Sequence, residues 1–237
     1  FHGDTIKATV KGMYTFGAPM NKAATSWTLR RTHAWYHPPG YPRYSFNNPH
    51  FYDYSRYSRW HHRRTHSWTS IIKSGSGKLD KEGILPVSAK LPVEDKTGLA
   101  HPTNYTLEGQ VTDVNRQSIA NRASFIAHPG DVYVGIRLSE RVIEEKKKVE
   151  FGLVTPSIEG KAIVGRPIEL VVTRTDWTTK KEKKGKEWVT RWISKVVTAG
   201  KCSRISATKE QTCNFKLDKP GSYKVRAVAT DRKGRKV

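Results

Sequence analysis

The side chains with the best claim to chemistry sit in Trp60-His61-His62-Arg63-Arg64-Thr65-His66. Three histidines within six residues, His61, His62 and His66, are a suitable ligand type for a transition metal. Their setting is poor for one. Arg63 and Arg64 repel a cation, and no nearby carboxylate is placed to orient the imidazoles. They are weak ligand candidates in what reads as a surface loop of a basic protein, and neither metal nor cofactor is expected. The same loop interleaves Arg56, Arg59, Arg63 and Arg64 with Tyr44, Tyr52, Tyr54, Tyr57 and Trp60. Guanidinium groups pair phosphates and aromatic rings stack on bases, so the mixture can hold a polyanion. A second basic run is Lys180, Lys181, Lys183 and Lys184, whose plain reading is a solvated hairpin tip. The formal net charge of +22 adds long-range attraction to nucleic acid, anionic glycans or anionic lipid. No RNA-recognition or oligonucleotide-fold signature accompanies it, so no specific nucleic-acid site is expected. Nucleophile elbow, P-loop, dinucleotide turn and HExxH are all missing, and the acids are scattered. The chain does not read as an enzyme.

Cys202 and Cys213 are the only cysteines, with ten residues between them. A disulfide closing so short a loop adds about 3 kcal/mol in the chain-entropy model, and it points to an oxidising compartment. Two free buried thiols are the alternative. The pair lacks the CxxC spacing and the histidine partners of a zinc site. Asn104-Tyr105-Thr106 is a formal glycosylation sequon, meaningful only in a eukaryotic secretory route.

The elements that must carry these residues read as strands. Tyr105, Leu107, Gly109 and Val111 alternate with Thr106, Glu108, Gln110 and Thr112, the period of a half-buried strand. Asp113-Val-Asn-Arg116 turns the chain, and Ala123 to Ala127 returns it. Tyr223 to Asp231 repeats Tyr105 to Asp113 at an offset of 118. Gly17-Ala-Pro-Met20 and Trp27 to Thr32 are echoed by Gly160 to Ile163 and Leu170 to Thr175 at an offset of 143. Repeats on this scale mean tandem homologous domains. The offsets differ by 25, so the first copy holds an insertion of that length. Both tyrosines resemble the corner tyrosine of immunoglobulin-like sandwiches, whose phenol bonds the backbone.

The expected fold is all-β: two tandem antiparallel, fibronectin-III-like β-sandwich domains, at 1–138 and 139–237. The first carries an aromatic, Arg- and His-rich insertion at about 32–77, where prolines 38, 39, 42 and 49 forbid long elements. Ser74-Gly-Ser-Gly77 reads as a flexible break, and the charged run 139–148 as a solvated crossing. The second domain is expected to lack its final strand, which leaves an open edge. Without an initiator Met or a leader, the sequence reads as an internal piece of a longer protein.

Val10-Lys-Gly-Met-Tyr14-Thr-Phe-Gly-Ala-Pro19, Trp27 to Arg31, Tyr105 to Glu108, Val111 to Gln117 and Ala123 to Pro129 resemble the macroglobulin modules of bacterial-type alpha-2-macroglobulins. Gly160 to Pro167, Pro220 to Tyr223 and Ala229 to Asp231 are similar to the following module. The resemblance covers most of the chain and fits the insertion and the lysine tip poorly. It implies a large extracytoplasmic trap, secreted, periplasmic or membrane-anchored, in which a proteinase cuts a bait segment and is caged. The thioester motif Cys-Gly-Glu-Gln of that family is absent, and no bait segment is recognisable. The resemblance therefore implies scaffold modules, with neighbouring macroglobulin domains and trapped proteases as partners of the parent. The alternative is a basic β-module that binds polyanions.

Overall fold

The computed structural model describes residues 1–46, 69–93, 101–138, 140, 147–184 and 187–237. Every regular element among them is a strand, and every named pairing is antiparallel. The chain divides into two compact units. The first comprises 1–36 and 47–130, the second 37–46 and 131–237.

The first unit contains β1 (Thr5–Lys11), β2 (Ala24–His33), β3 (Ser70–Lys78), β4 (Ile84–Lys90), β5 (Thr103–Thr112) and β6 (Ser118–Ala127). One sheet is β1-β4, the other β3-β2-β5-β6. Alternation puts Leu29, Val87, Ala89, Leu91, Tyr105 and Leu107 in a shared core, with Ile6, Ala8 and Val10 packed on it. The second unit contains β7 (Gly135–Leu138), β8 (Lys148–Val154), β9 (Pro167–Lys184), β10 (Glu187–Ile205), β11 (Gln211–Lys216) and β12 (Ser222–Ala229). Its sheets are β11-β8-β7 and β10-β9-β12. Phe151, Leu153, Ile168, Leu170, Val172 and Leu217 fill its core.

The two units follow one plan. β1 to β5 correspond in order and pairing to β8 to β12. Leu29 faces Leu107 and Arg31 faces Tyr105. At the same two offsets, Val172 faces Val225 and Arg174 faces Tyr223. A bulge interrupts β2–β3 between Leu29 and Arg30, and another interrupts β9–β10 at the partners of Val172 and Thr173. The turn after β1 matches as well. Met13 bridges Pro19 and Pro156 bridges Ala162, with Gly17 and Gly160 in left-handed geometry. Alternation of side chains allows no slip of one residue without turning the core face outward, so this register is the common frame. Of β6, the first rungs have a counterpart among the described residues of the second unit: Thr230 bridges Lys236, and Ala229 and Val237 exchange both backbone hydrogen bonds, as Thr112 pairs with Ser118 and Val111 with Ile119.

The reach between the ladders differs. Leu29 pairs with Lys73 across 44 residues, whereas Val172 pairs with Gly200 across 28. From there to the next ladder partner the first unit takes 34 residues, to Leu107, and the second 25, to Val225. The excess of 25 residues is thus split between two connections. The segment Ser74–Gly77, read from sequence as a break, lies inside β3. The glycines serve packing there. A Cβ on Gly75 would meet the Trp27 indole at 2.9 Å, and one on Gly77 would meet Leu85 at 2.9 Å.

Turn chemistry also recurs. Asp80, Asp113 and Asp231 each accept, through Oδ1, the backbone N–H groups two and four residues on, at 2.7–3.0 Å. The residue three positions on has positive φ each time: Gly83, Arg116 and Gly234. This is the Asp-anchored hairpin turn that the side chain favours. The Asp231 carboxylate is sealed from solvent against Arg235. Burial pushes its pKa up, but the Arg235 N–H and guanidinium and the Lys233 N–H outweigh that, leaving the group below its usual value of 3.8.

The corner tyrosines diverge. Tyr223 donates from its phenol to the Lys219 carbonyl at 2.6 Å, as the corner motif requires. Tyr105 does not: its buried hydroxyl has no hydrogen-bond partner among the described residues. Its ring stacks on Phe125 at 5.5 Å. Phe125 is the β6 residue that faces Tyr105 across the ladder, and the ring lies sealed in the core beneath it.

Two predictions follow from these contrasts. Tyr105→Phe removes an unpaired buried hydroxyl and raises stability by about 1 kcal/mol, whereas Tyr223→Phe lowers it by about 0.5–1 kcal/mol, both read from urea unfolding midpoints. Asp231 contributes stability that is present above its ordinary value of 3.8 and lost as pH falls through its lower folded-state value. Asp231→Asn therefore lowers stability at neutral pH and narrows the gap to wild type in acid, which a pH series of thermal melts measures.

Candidate functional site

The second unit holds most of the described polar and reactive geometry. Cys202 on β10 and Cys213 on β11 form a disulfide with a Cα–Cα distance of 6.2 Å. The two strands belong to different sheets, so the bond staples the sandwich layers together. Phe215, two residues beyond Cys213, packs on Phe151 and lies over Gly200, where a Cβ would meet its ring at 2.4 Å.

Residues 37–46, read from sequence as part of a first-domain insertion, pack in the second unit. Ser45 exchanges both backbone hydrogen bonds with Ile136 of β7, at 2.8 and 3.0 Å. Phe46 lies over Gly135, and His37 meets Phe46 edge-on at 5.0 Å. Tyr44 donates to Glu210 Oε2 at 3.0 Å, while Arg137 Nε and Nη2 donate to Glu210 Oε1 at 2.9 and 2.6 Å. Burial, then the Glu210 carboxylate, pushes the Tyr44 phenol up. The hydrogen bond to Glu210 raises Arg137 further above its already high value. A carboxylate held by a guanidinium fork and a phenol is a latch, ill suited to act as a general base.

The basic run lies on a long ribbon. β12 pairs with β9 only as far as Thr175. From Asp176 to Lys184 on β9 and Glu187 to Lys195 on β10 the two strands pair with each other alone. Where the ribbon leaves the sheet, Arg174 grips Asp176 through both guanidinium arms, at 2.5 and 2.8 Å, and holds its carboxyl below the usual range. Lys180, Lys181 and Lys183 are exposed on the ribbon, and the backbone of Lys184 closes it.

The other candidates fall elsewhere. His61, His62 and His66, and Arg56, Arg59, Arg63 and Arg64, lie outside the described residues. Among the described residues no three His, Cys, Asp or Glu side chains gather as a metal site would need. Asn104 of the sequon is half-buried on β5, flanked by β2 and β6, with its amide 3.4 Å from the Thr32 hydroxyl. In the first unit, a groove of about 340 Å³ opens between β1 and the β5–β6 hairpin, past Val10, Leu107, Ile119 and Arg122. β1 is the counterpart of β8, whose matching edge β7 covers, but no described strand covers β1 there. The clasp at 37–46 and the ribbon's exposed tryptophans escaped the residue-level reading. The tryptophan parity along 188–192 was the available signal, and nothing marked which partner the clasp would choose.

No family model matches the chain. In sequence it is 21% identical over 234 residues, 98% of its length, to an alpha-2-macroglobulin homolog of Nostoc sp.. It spans 11% of that relative. In structure it is similar over 99% of its length to the native conformation of Escherichia coli alpha-2-macroglobulin, with a TM-score of 0.60 and 16% identity, and it covers 14% of that chain. Salmonella alpha-2-macroglobulin reacted with methylamine matches over the same share at a TM-score of 0.59 and 16% identity, with 15% of that chain covered. The chain shares the fold of this stretch of the alpha-2-macroglobulins and is similar to them along almost its whole length. Within that fold, the register shared by the two units shows one antiparallel plan built twice.

The disulfide is the staple whose removal is cleanest to read. Replacing Cys202 and Cys213 together by serine costs about 3 kcal/mol, measured as a lower urea midpoint, and dithiothreitol reproduces the loss only in the parent sequence.

Proposed function

We propose that the chain serves as two scaffold modules of a protease-trapping inhibitor that works outside the cytoplasm. The observation carrying this reading is the duplicated ladder, with the same register, bulge position and turn geometry in both units, in a chain similar end to end to alpha-2-macroglobulins. Two structural relatives are Escherichia coli alpha-2-macroglobulin activated by porcine elastase and by trypsin, matching at TM-scores of 0.60 and 0.56. The disulfide suits an oxidising compartment. The geometry supports a structural part in the trap: the polar cluster at Glu210 is a latch, and the cores are closed by packing. Neighbouring modules of the parent protein are the partners this implies.

The test uses the whole protein that contains this chain, incubated with trypsin or elastase. The expected result is a protease that still cleaves a small chromogenic peptide but no longer digests a protein substrate. The 237-residue chain alone leaves both activities unchanged. Full digestion of the protein substrate in the presence of the whole protein overturns the reading, as does inhibition by the isolated chain.

A further inference from the structure

The β9–β10 ribbon carries more apolar surface than a solvated hairpin needs. Trp177, Trp188 and Trp192 are 61–68% exposed. Antiparallel pairing puts them on one face. Trp177 opposes Ser194, Thr179 opposes Trp192, and Lys183 opposes Trp188. Trp177 and Trp192 are therefore diagonal neighbours, with Trp188 four residues further toward the tip. The opposite face holds Val189 and Ile193, also exposed, beside Lys180 and Arg191. Between Asp176 and Lys195 the sequence has seven basic residues and three acidic ones. The self-paired stretch spans nine rungs, roughly 30 Å.

Three features restrict what such a ribbon meets. Apolar side chains on both faces need surroundings on both faces, whereas a sugar or a base stacks on only one. Indole combines an apolar body with an N–H donor and prefers the boundary between water and hydrocarbon. Lysines beside the indoles can lay their stems along apolar surface and keep their ammonium groups at phosphate depth. We propose that the ribbon is an anchor to an anionic lipid surface. Trp177, Trp188 and Trp192 enter the headgroup layer, and Lys180, Lys181 and Lys183 pair with lipid phosphates. This site is independent of the protease-trapping reading, and either can fail alone.

The experiment uses the 237-residue chain and vesicles of phosphatidylcholine with and without about 30 mol% phosphatidylglycerol. Anionic vesicles are expected to sediment the chain and shift its tryptophan emission to the blue, and brominated acyl chains to quench it. Zwitterionic vesicles should do neither. Trp188→Ser with Trp192→Ser should lower partitioning about tenfold, while thermal unfolding and heparin affinity stay unchanged. Lys181→Gln with Lys183→Gln should weaken binding at low salt and converge with the parent chain at roughly 0.5 M salt, where charge is screened. Vesicle binding that ignores the tryptophan substitutions, or that occurs equally without anionic lipid, overturns the proposal. So does heparin binding that depends on the same tryptophans, which would make the ribbon a glycan site. A tryptophan variant that unfolds is replaced by Trp188→Phe with Trp192→Phe, which keeps the apolar body and should bind between the parent and zero. Parent-level binding by that variant, with no emission shift on the remaining indoles, also overturns it.

Discussion

Everything in each unit hangs on one ladder: β2 against β5 in the first and β9 against β12 in the second. Leu29 facing Leu107, and Val172 facing Val225, fix which side chains point between the layers. A shift of one residue would expose Leu29, Tyr105 and Leu107 together and bury the threonines and the glutamate that alternate with them. Burying such large apolar groups is worth about 1.5–3 kcal/mol each, and mature domains are stable by only about 5–15 kcal/mol in total. A slipped ladder could not fold, which is why the register is the feature that both units hold in common while their loops differ.

The loops differ because the ladder leaves them free. The ladder partner lies 28 residues on in the second unit and 44 on in the first, and closure entropy grows only slowly with the length of a connection. In the first unit that freedom accommodates residues 37–46, which group with the second unit, where Ser45 and Ile136 exchange backbone hydrogen bonds. The second unit uses it differently, by extending the hairpin itself. The ribbon keeps its two strands paired rung by rung as it leaves the sheet, with both outer edges open to solvent, and the Arg174–Asp176 fork sits at the point of departure. Each added rung of such a ribbon pairs the inward-facing backbone groups with one another and leaves the outward-facing ones to water.

Which parts of this were legible in sequence follows from range. Alternation and turn residues act over a few positions, so the strands at 105–112 and 223–229 and the Asp113 turn read correctly. Comparison of the chain with itself extended the range, and the echoes at 118 and 143 are the two sides of one ladder. Packing between distant segments is beyond both methods. Ser74-Gly-Ser-Gly77 has the composition of a linker, yet Trp27 and Leu85 need the space its missing side chains leave. Tyr105 and Tyr223 share a motif, yet only Tyr223 bonds the backbone at its corner, while Tyr105 stacks on the distant Phe125. Composition described the 37–46 segment as an aromatic insertion and had no means of choosing β7 as its partner.

The charge of +22 remains the property least explained by packing, and the two structural roles divide it. A sandwich wall needs a polar exterior but no particular sign. The ladder residues that define the fold are apolar or neutral at the core, so positive charge can accumulate outside without touching the register. On the ribbon, however, the charge is interleaved with exposed tryptophans that the fold has no use for: Trp188 and Trp192 pack on neither core. Exposed indoles are costly in water, and a two-stranded ribbon is only marginally stable by itself. Basic residues and indoles that alternate along one ribbon are therefore best accounted for together, by a surface that is negative outside and apolar beneath.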